Sequence, residues 1–166
     1  MTIDSTCDAM TFEEAVETYA DLVTRLCLLH LRNASDTEDC WQDVFISLYQ
    51  HPEVLARTPD QVRYWLVRVT LNRCRDINRH AALRLHLSLE DSERLGFSHT
   101  DVYSVEVIDC LRTLPEKYRA PMLLHYCQGY SVRETAAILH RREGTVKSQL
   151  SRGRELLKGE LDFEQH

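Results

Sequence analysis

Apolar positions along the chain recur at helical spacing, and the strict alternation that makes half-buried strands does not appear. Phe12, Ala15, Val16, Tyr19, Val23, Leu26 and His30 form one stripe, with the three-and-four spacing of an amphipathic helix. Thr11 and Glu14 open it as a capping box, the hydroxyl taking an amide of the first turn while the glutamate reaches back to the cap. Ser35 and Glu38 predict a second start, ahead of Cys40, Trp41, Val44, Phe45 and Leu48, with Pro52 forcing a stop. Thr58, Pro59 and Gln61 start a third helix, proline standing at the first helical position where its missing N–H costs nothing. Val62, Trp65, Leu66, Val69 and Ile77 give that helix an apolar side to about His80. Residues 81–104 include the polar, acidic run LEDSERLGFSHTD and read as a linker. Helical spacing resumes near Ser104, breaks at Leu114 and Pro115, and continues through Tyr126.

The stretch SVRETAAILHRREGTVKSQLSRGR, Ser131 to Arg154, has the layout of a helix-turn-helix. Ser131 and Glu134 form a capping box, so the first of its helices begins at Val132. Ala136 is the small residue where two helices touch, His140 falls in the turn, and Val146 anchors the second helix. Along that helix Val146, Leu150, Gly153 and Leu157 repeat at core spacing, leaving Lys147, Ser148, Gln149, Ser151, Arg152 and Arg154 to reach phosphates or base edges. The pattern predicts an all-α fold of two small helical domains, residues 1–80 and 105–166, joined by a flexible linker over 81–104. The C-terminal domain is the helix-turn-helix.

Charge sharpens that division. Residues 112–158 hold 10 Lys/Arg against 4 Asp/Glu, whereas residues 1–111 hold 10 against 19. The net charge of −6 therefore hides a basic rear module, and phosphate neutralisation needs local positive charge rather than a high total. In the third helix Arg68, Asn72, Arg75 and Arg79 share one face, a guanidinium row suited to a nucleic-acid backbone and exposed bases. Tyr64 and Trp65 have rings able to stack on bases, but a tryptophan in the apolar stripe reads first as core. The second helix bears Asp36, Glu38, Asp39, Gln42 and Asp43, an acidic face that repels DNA and attracts a basic protein groove.

Composition excludes several classes. Five Gly and four Pro are few for a turn-rich β fold, and no apolar run approaches the roughly 18 residues that span a bilayer. The polar start MTIDSTCDAM lacks a secretory leader's pattern, so the chain is expected to be cytoplasmic. Of the six cysteines no two have CxxC spacing, Cys27 and Cys40 being the nearest at thirteen residues, and His125 with Cys127 is only an HxC fragment. Buried, reduced thiols are expected, with no metal and no cofactor. No nucleophile, base and acid set and no phosphate-binding glycine loop points to catalysis. Two other readings stay open: a stand-alone helix-turn-helix regulator, and a metal- or thiol-responsive sensor.

Four strings taken together are recognisable. SDTEDCWQDVFISLY resembles region 2.2 of the extracytoplasmic-function (ECF) sigma factors of the sigma-70 family, and YWLVRVTLNRCRDINR resembles regions 2.3 to 2.4. LRTLPEKYRAPMLLHYCQGYSVRETAAIL is similar to the start of region 4, and GTVKSQLSRGRELL to its recognition helix. The resemblance runs from Phe12 to Leu157. It implies a non-enzymatic protein that binds core RNA polymerase and directs promoter recognition. Asp39, Gln42, Asp43 and Phe45 match the positions that dock on the clamp helices of the β′ subunit. Arg68, Asn72, Arg75 and Arg79 match positions near the −10 element, and the loop of about residues 53–60 matches one that captures a flipped base. Lys147, Ser148, Gln149, Ser151, Arg152 and Arg154 fall on the helix that meets the −35 element. An anti-sigma partner is implied by the family alone. The chain departs from the family pattern at His140, where glycine is usual, at Arg141, where an apolar residue is usual, and at Gln149, where arginine is usual.

Overall fold

The computed structural model describes residues 9–84 and 102–164, and within them every element is helical. Helix α1 spans Phe12–His30, and its Thr11–Glu14 capping box closes as the sequence predicts, at 3.2 and 2.8 Å. Helix α2, Ala34–Gln50, starts earlier than Ser35 and Glu38 suggest. Its cap is Asn33, whose side-chain oxygen accepts from the Asp36 amide at 2.8 Å while its Nδ2 donates to the Asp36 carboxylate at 2.9 Å. Asparagine forms a cap at least as good as serine, and this reciprocal pair wins the competition for the first turn.

A one-turn helix, α3 (Pro52–Leu55), occupies the start of the expected loop, and only Val54 of it is buried. Helix α4 runs Pro59–Arg84, four residues past the predicted end. Helix α5 spans Val102–Arg112, so the part of the expected linker between α4 and α5 lies outside the described residues. Helix α6, Glu116–Met122, continues into a π-type turn over Leu123–Cys127. Helices α7 (Val132–Leu139) and α8 (Glu143–Glu164) complete the chain.

Two apolar clusters hold these helices. One gathers Ala15, Tyr19, Val23 and Cys27 of α1 with Cys40, Val44, Phe45 and Leu48 of α2 and Val62, Leu66 and Cys74 of α4. The other takes the opposite side of α1, Leu22, Leu26 and Leu29, and continues into Ile108, Leu111, Met122, Leu123, Ala136, Ile138, Val146 and Leu150. The two helical modules meet along α1, which lies between the clusters and is buried on two sides. Leu22 and Leu29, outside the single stripe read from the sequence, make that second side.

Polar contacts reinforce the shared surface. Arg112 donates from Nη2 to the Leu31 carbonyl at 2.6 Å, and Tyr64 from its hydroxyl to Glu134 at 3.5 Å. The Tyr64 and Tyr130 rings meet edge to face at 5.9 Å, with the Arg63 guanidinium 5.5 Å from the Tyr130 centroid. Arg119 binds three carbonyls, Leu114 at 2.8 Å and Arg112 at 2.9 Å in its own module and Leu29 at 3.2 Å across the boundary.

His30, at the end of α1, sits at this boundary. Burial holds its imidazole below the usual range, more than the Nδ1 contact to the Leu26 carbonyl (2.9 Å) and the Glu116 carboxylate raise it. The unfolded chain therefore binds a proton on His30 more readily than the folded chain does, so its contribution is intact above about pH 6.5 and is lost as pH falls below that value. Urea midpoints should drop on acidification through that window, and a His30→Gln variant should lose that part of the dependence.

Candidate nucleic-acid and polymerase interfaces

The helix-turn-helix is built from its two ends inward. Ser131 accepts from the Glu134 amide at 3.1 Å and Glu134 from the Ser131 amide at 2.7 Å, contacts that hold the Glu134 carboxyl below its ordinary range. At the other end of α7, His140 adopts φ 51° and ψ 44°, the left-handed conformation. The turn asked of this position is thus made without glycine. Histidine pays steric strain there, so His140→Gly should raise stability by about 0.5–1 kcal/mol, and His140→Val should lower it by at least about as much. Thermal melts of the two variants check this.

Val146, Leu150 and Gly153 are buried, and a side chain at Gly153 would meet Met122, its Cβ lying 2.8 Å from the methionine sulfur. This seats α8 against α6 and turns Lys147, Ser148, Ser151, Arg152 and Arg154 outward, all exposed. Ser148 is bonded to the Gly144 carbonyl at 3.0 Å, and Arg152 to Glu155 at 3.0 Å. The latter is an exposed ion pair, worth well under about 1 kcal/mol, so it is readily exchanged for a phosphate or a base.

Arg141 has a structural task. Pro121, inside α6, has no N–H for the Lys117 carbonyl one turn back, and Arg141 donates to that carbonyl at 3.3 Å. The same Nη1 donates to Gln149 Oε1 at 2.9 Å. Half-buried Gln149 is thus held with its oxygen turned to Arg141 and its amide hydrogens left for an acceptor. Two of the departures from the family pattern are coupled to each other.

On α4 the residues Arg68, Asn72, Arg75 and Arg79 are all exposed, Arg79 standing 3.9 Å from Asp76. Three of them, Arg68, Asn72 and Arg75, form one wall of a cleft, and Lys117, His140 and Arg141 stand on the wall opposite. Among the described residues, Glu116 is the one acid lining it. Burial and then Arg75 lower the pKa of the Arg141 guanidinium. The α4 stripe read as a DNA contact thus faces cationic side chains of the C-terminal module, like charge to like charge. Tyr64 is half-buried against Tyr130, and Trp65 is packed against the α1–α2–α4 cluster, as its place in the apolar stripe suggested.

On α2 the structure divides the residues matched to polymerase docking. Asp39 and Gln42 are exposed. Asp43 is half-buried and paired with Arg73 of α4, 2.7 Å from its Nε, so it also ties the two helices together. Phe45 is 3% exposed, its ring 4.5 Å from that of Trp41, and it supports the face from beneath. In this structure Phe45 is a core residue, because its position on the helix places it in the cluster shared with α1 and α4. The face instead carries Ile46, 53% exposed, and Tyr49, 71% exposed, one and two turns beyond Gln42. Large apolar side chains left open in a chain with a well-filled core are the signal that finds them.

Three of the described cysteines are buried and reduced, as the sequence reading expects, and two are exposed. Cys27, Cys40 and Cys74, far apart in the chain, converge with their sulfurs within 4.8 Å of one another. Cys110 and Cys127 are exposed, and Cys7 lies outside the described residues. No helix is long and apolar enough to cross a membrane among the described residues.

Comparison with known proteins adds a family to this geometry. The chain matches the family models "Sigma-70 region 2" over residues 15–84 and "Sigma-70, region 4" over residues 104–157. It is 31% identical over 157 residues to the ECF RNA polymerase sigma factor SigM of Mycobacterium tuberculosis, across 94% of this chain and 80% of that protein. Identity to the ECF sigma factor SigE of Mycolicibacterium smegmatis is 30% over 159 residues, across 90% of this chain and 61% of that relative's length. Among solved structures, the sigma factor RpoE of Bartonella quintana, in complex with the anti-sigma factor NepR, gives a TM-score of 0.71 at 19% identity. The match covers 91% of this chain and 96% of that one. CnrH in complex with the cytosolic domain of CnrY gives 0.65 at 24% identity, over 91% and 87%. At these identities the structural likeness bears on the fold. With both region models matched in chain order and a relative covered along four fifths of its length, the chain belongs to the sigma-70 family as an ECF RNA polymerase sigma factor.

Proposed function

We propose that this sigma factor works by passing from the closed body described above to an open one on core RNA polymerase, and that it performs no catalysis itself. The observation that carries the reading is α8: one side is locked into the core by Val146, Leu150 and Gly153, while Lys147, Ser148, Ser151, Arg152 and Arg154 all face outward. Seated in a major groove, that face supplies phosphate neutralisation from Arg154 and Lys147 and base-edge readout from Arg152 and Gln149. The bond from Arg141 supports a Gln149 that presents its N–H₂ group, which favours an acceptor such as guanine O6 or thymine O4 over the two-point pairing with adenine.

The α4 stripe has a different task. Arg68, Asn72, Arg75 and Arg79 suit the backbone and unpaired bases of the −10 strand, and trapping those bases lowers the cost of opening the duplex. A −35 and a −10 element lie roughly 25 base pairs apart, about 85 Å at 3.4 Å per step, whereas a compact body of this size has a radius of gyration of about 15 Å. With the stripe facing Lys117, His140 and Arg141, both elements are beyond simultaneous reach, so engagement requires the shared cluster to part. The binding energy of the α2 face on polymerase offsets that cost. The work takes place in the cytoplasm with the polymerase, and an anti-sigma partner that favours the closed form would act as an inhibitor; the related RpoE is bound by the anti-sigma factor NepR.

The test is a distance. Fluorophores at Arg79 and Lys158 should report a short separation in the isolated protein and one beyond about 50 Å after core polymerase and promoter DNA are added. An unchanged separation in a transcription-competent complex would end the two-state reading.

A further inference from the structure

We propose that Cys27, Cys40 and Cys74 form a three-thiolate site for a trivalent, sulfur-seeking ion, of which arsenic(III) is the simplest probe. The three thiols come from three different helices, α1, α2 and α4, and are 0%, 0% and 1% exposed. Their sulfurs lie within 4.8 Å of one another, Cys40 and Cys74 at 3.7 Å. A metal–sulfur bond of about 2.3 Å puts the sulfurs about 4 Å apart in a flat trigonal site and about 3.5 Å apart in the pyramidal one that the arsenic(III) lone pair imposes, so the Cys40–Cys74 pair is already near that spacing and the widest pair needs a contraction of roughly 1 Å.

Donor chemistry and charge then select the ion. Among the described residues the group contains sulfur alone, with no carboxylate and no imidazole. Hard cations that require oxygen are excluded, and soft ions are favoured. The surroundings are Val23, Val44, Leu48 and Leu66 of the same cluster, and the nearby Asp43 and Arg73 neutralise each other. Three thiolates around a monovalent ion carry two negative charges, around a divalent ion one, and around a trivalent ion none. Burying an uncompensated charge in an apolar core is costly, so the neutral complex is the one that fits.

The reaction balances without any redox partner. Arsenous acid, As(OH)₃, exchanges its three As–O bonds for three As–S bonds, and the three thiol protons leave with the hydroxyls as three waters. The complex would staple α1, α2 and α4 together. Cys40 follows Asp39 directly, and Cys74 stands between Arg73, which holds Asp43, and Arg75 of the DNA stripe. Occupancy would therefore fix the polymerase face relative to the −10 stripe. Entry requires local opening of a buried layer and should be slow in the folded protein.

The decisive protein is the full chain with Cys7→Ser, Cys110→Ser and Cys127→Ser, which keeps only the three core thiols. Incubated with one equivalent of arsenite, or refolded in its presence, it should show in native mass spectrometry one arsenic gained and three hydrogens lost, with a higher melting temperature. Adding Cys40→Ala or Cys74→Ala should abolish stoichiometric uptake. Absence of the adduct in the three-thiol protein would overturn the site. So would uptake undiminished in the Cys40→Ala protein, and preferential loading of zinc from an equimolar mixture would overturn the trivalent assignment.

Discussion

Replacing Ile46 and Tyr49 together by glutamate should reduce affinity for core RNA polymerase by at least about 100-fold while leaving binding to duplex DNA unchanged. Both side chains stand more than half exposed on α2 beside Asp39 and Gln42. Exposed apolar groups ringed by acids have the make-up of an interface centre, where a few large side chains carry most of the binding energy and each truncation costs about 2 kcal/mol or more. Two such losses exceed the roughly 2.7 kcal/mol that a 100-fold change represents. The folded state has little to lose, since Ile46 belongs to neither core cluster and Tyr49 meets Phe12 edge to face at 5.5 Å. Circular dichroism should show unchanged helix content. Anisotropy titrations with labelled core enzyme would read the loss, and retained affinity would move the docking surface elsewhere.

Arg119→Ala should be strongly destabilising at the boundary between the modules, costing on the order of 3 kcal/mol. One guanidinium there satisfies the carbonyls of Leu114, Arg112 and Leu29, and alanine leaves all three without that donor in a half-buried setting. Burial lowers the Arg119 pKa more than Glu116 raises it. For a chain of this length the melting temperature should fall by roughly 6–12 °C. Arg119→Lys should recover only part of the loss, because an ammonium cannot fork across three acceptors. Since the Leu29 contact crosses the boundary, the alanine variant should also show the larger Arg79–Lys158 distance without polymerase. A variant as stable and as closed as the parent would remove Arg119 from the boundary.

Much of this architecture is written in local sequence, because its determinants act within one or two turns. The caps at Thr11 and Ser131, the proline at the start of α4 and the alternation of Val146, Leu150 and Gly153 with outward Lys147 and Arg152 each concern neighbours three or four residues apart. What local sequence does not show has a common cause. Asn33 outcompetes Ser35 by pairing with Asp36, a choice between two adequate local signals. Phe45 was assigned by motif position, and only the packing of α2 against α1 and α4 shows that it faces inward. The second apolar side of α1, the opposition of Arg75 to Arg141, and the meeting of Cys27 with Cys40 and Cys74 are products of tertiary geometry. No spacing rule along one chain reports that three thiols on three helices share a layer.

Initiation by this protein requires one chain to join the α2 face to the α8 face in a single act. The most direct measurement is run-off transcription with purified core polymerase on promoter fragments bearing paired −35 and −10 elements. Specific transcripts should appear only when this protein is added, and should vanish with the Ile46→Glu and Tyr49→Glu variant even though that variant still binds duplex DNA. Promoter-specific transcripts at undiminished yield from the variant, or none from the parent protein despite tight DNA binding, would contradict it.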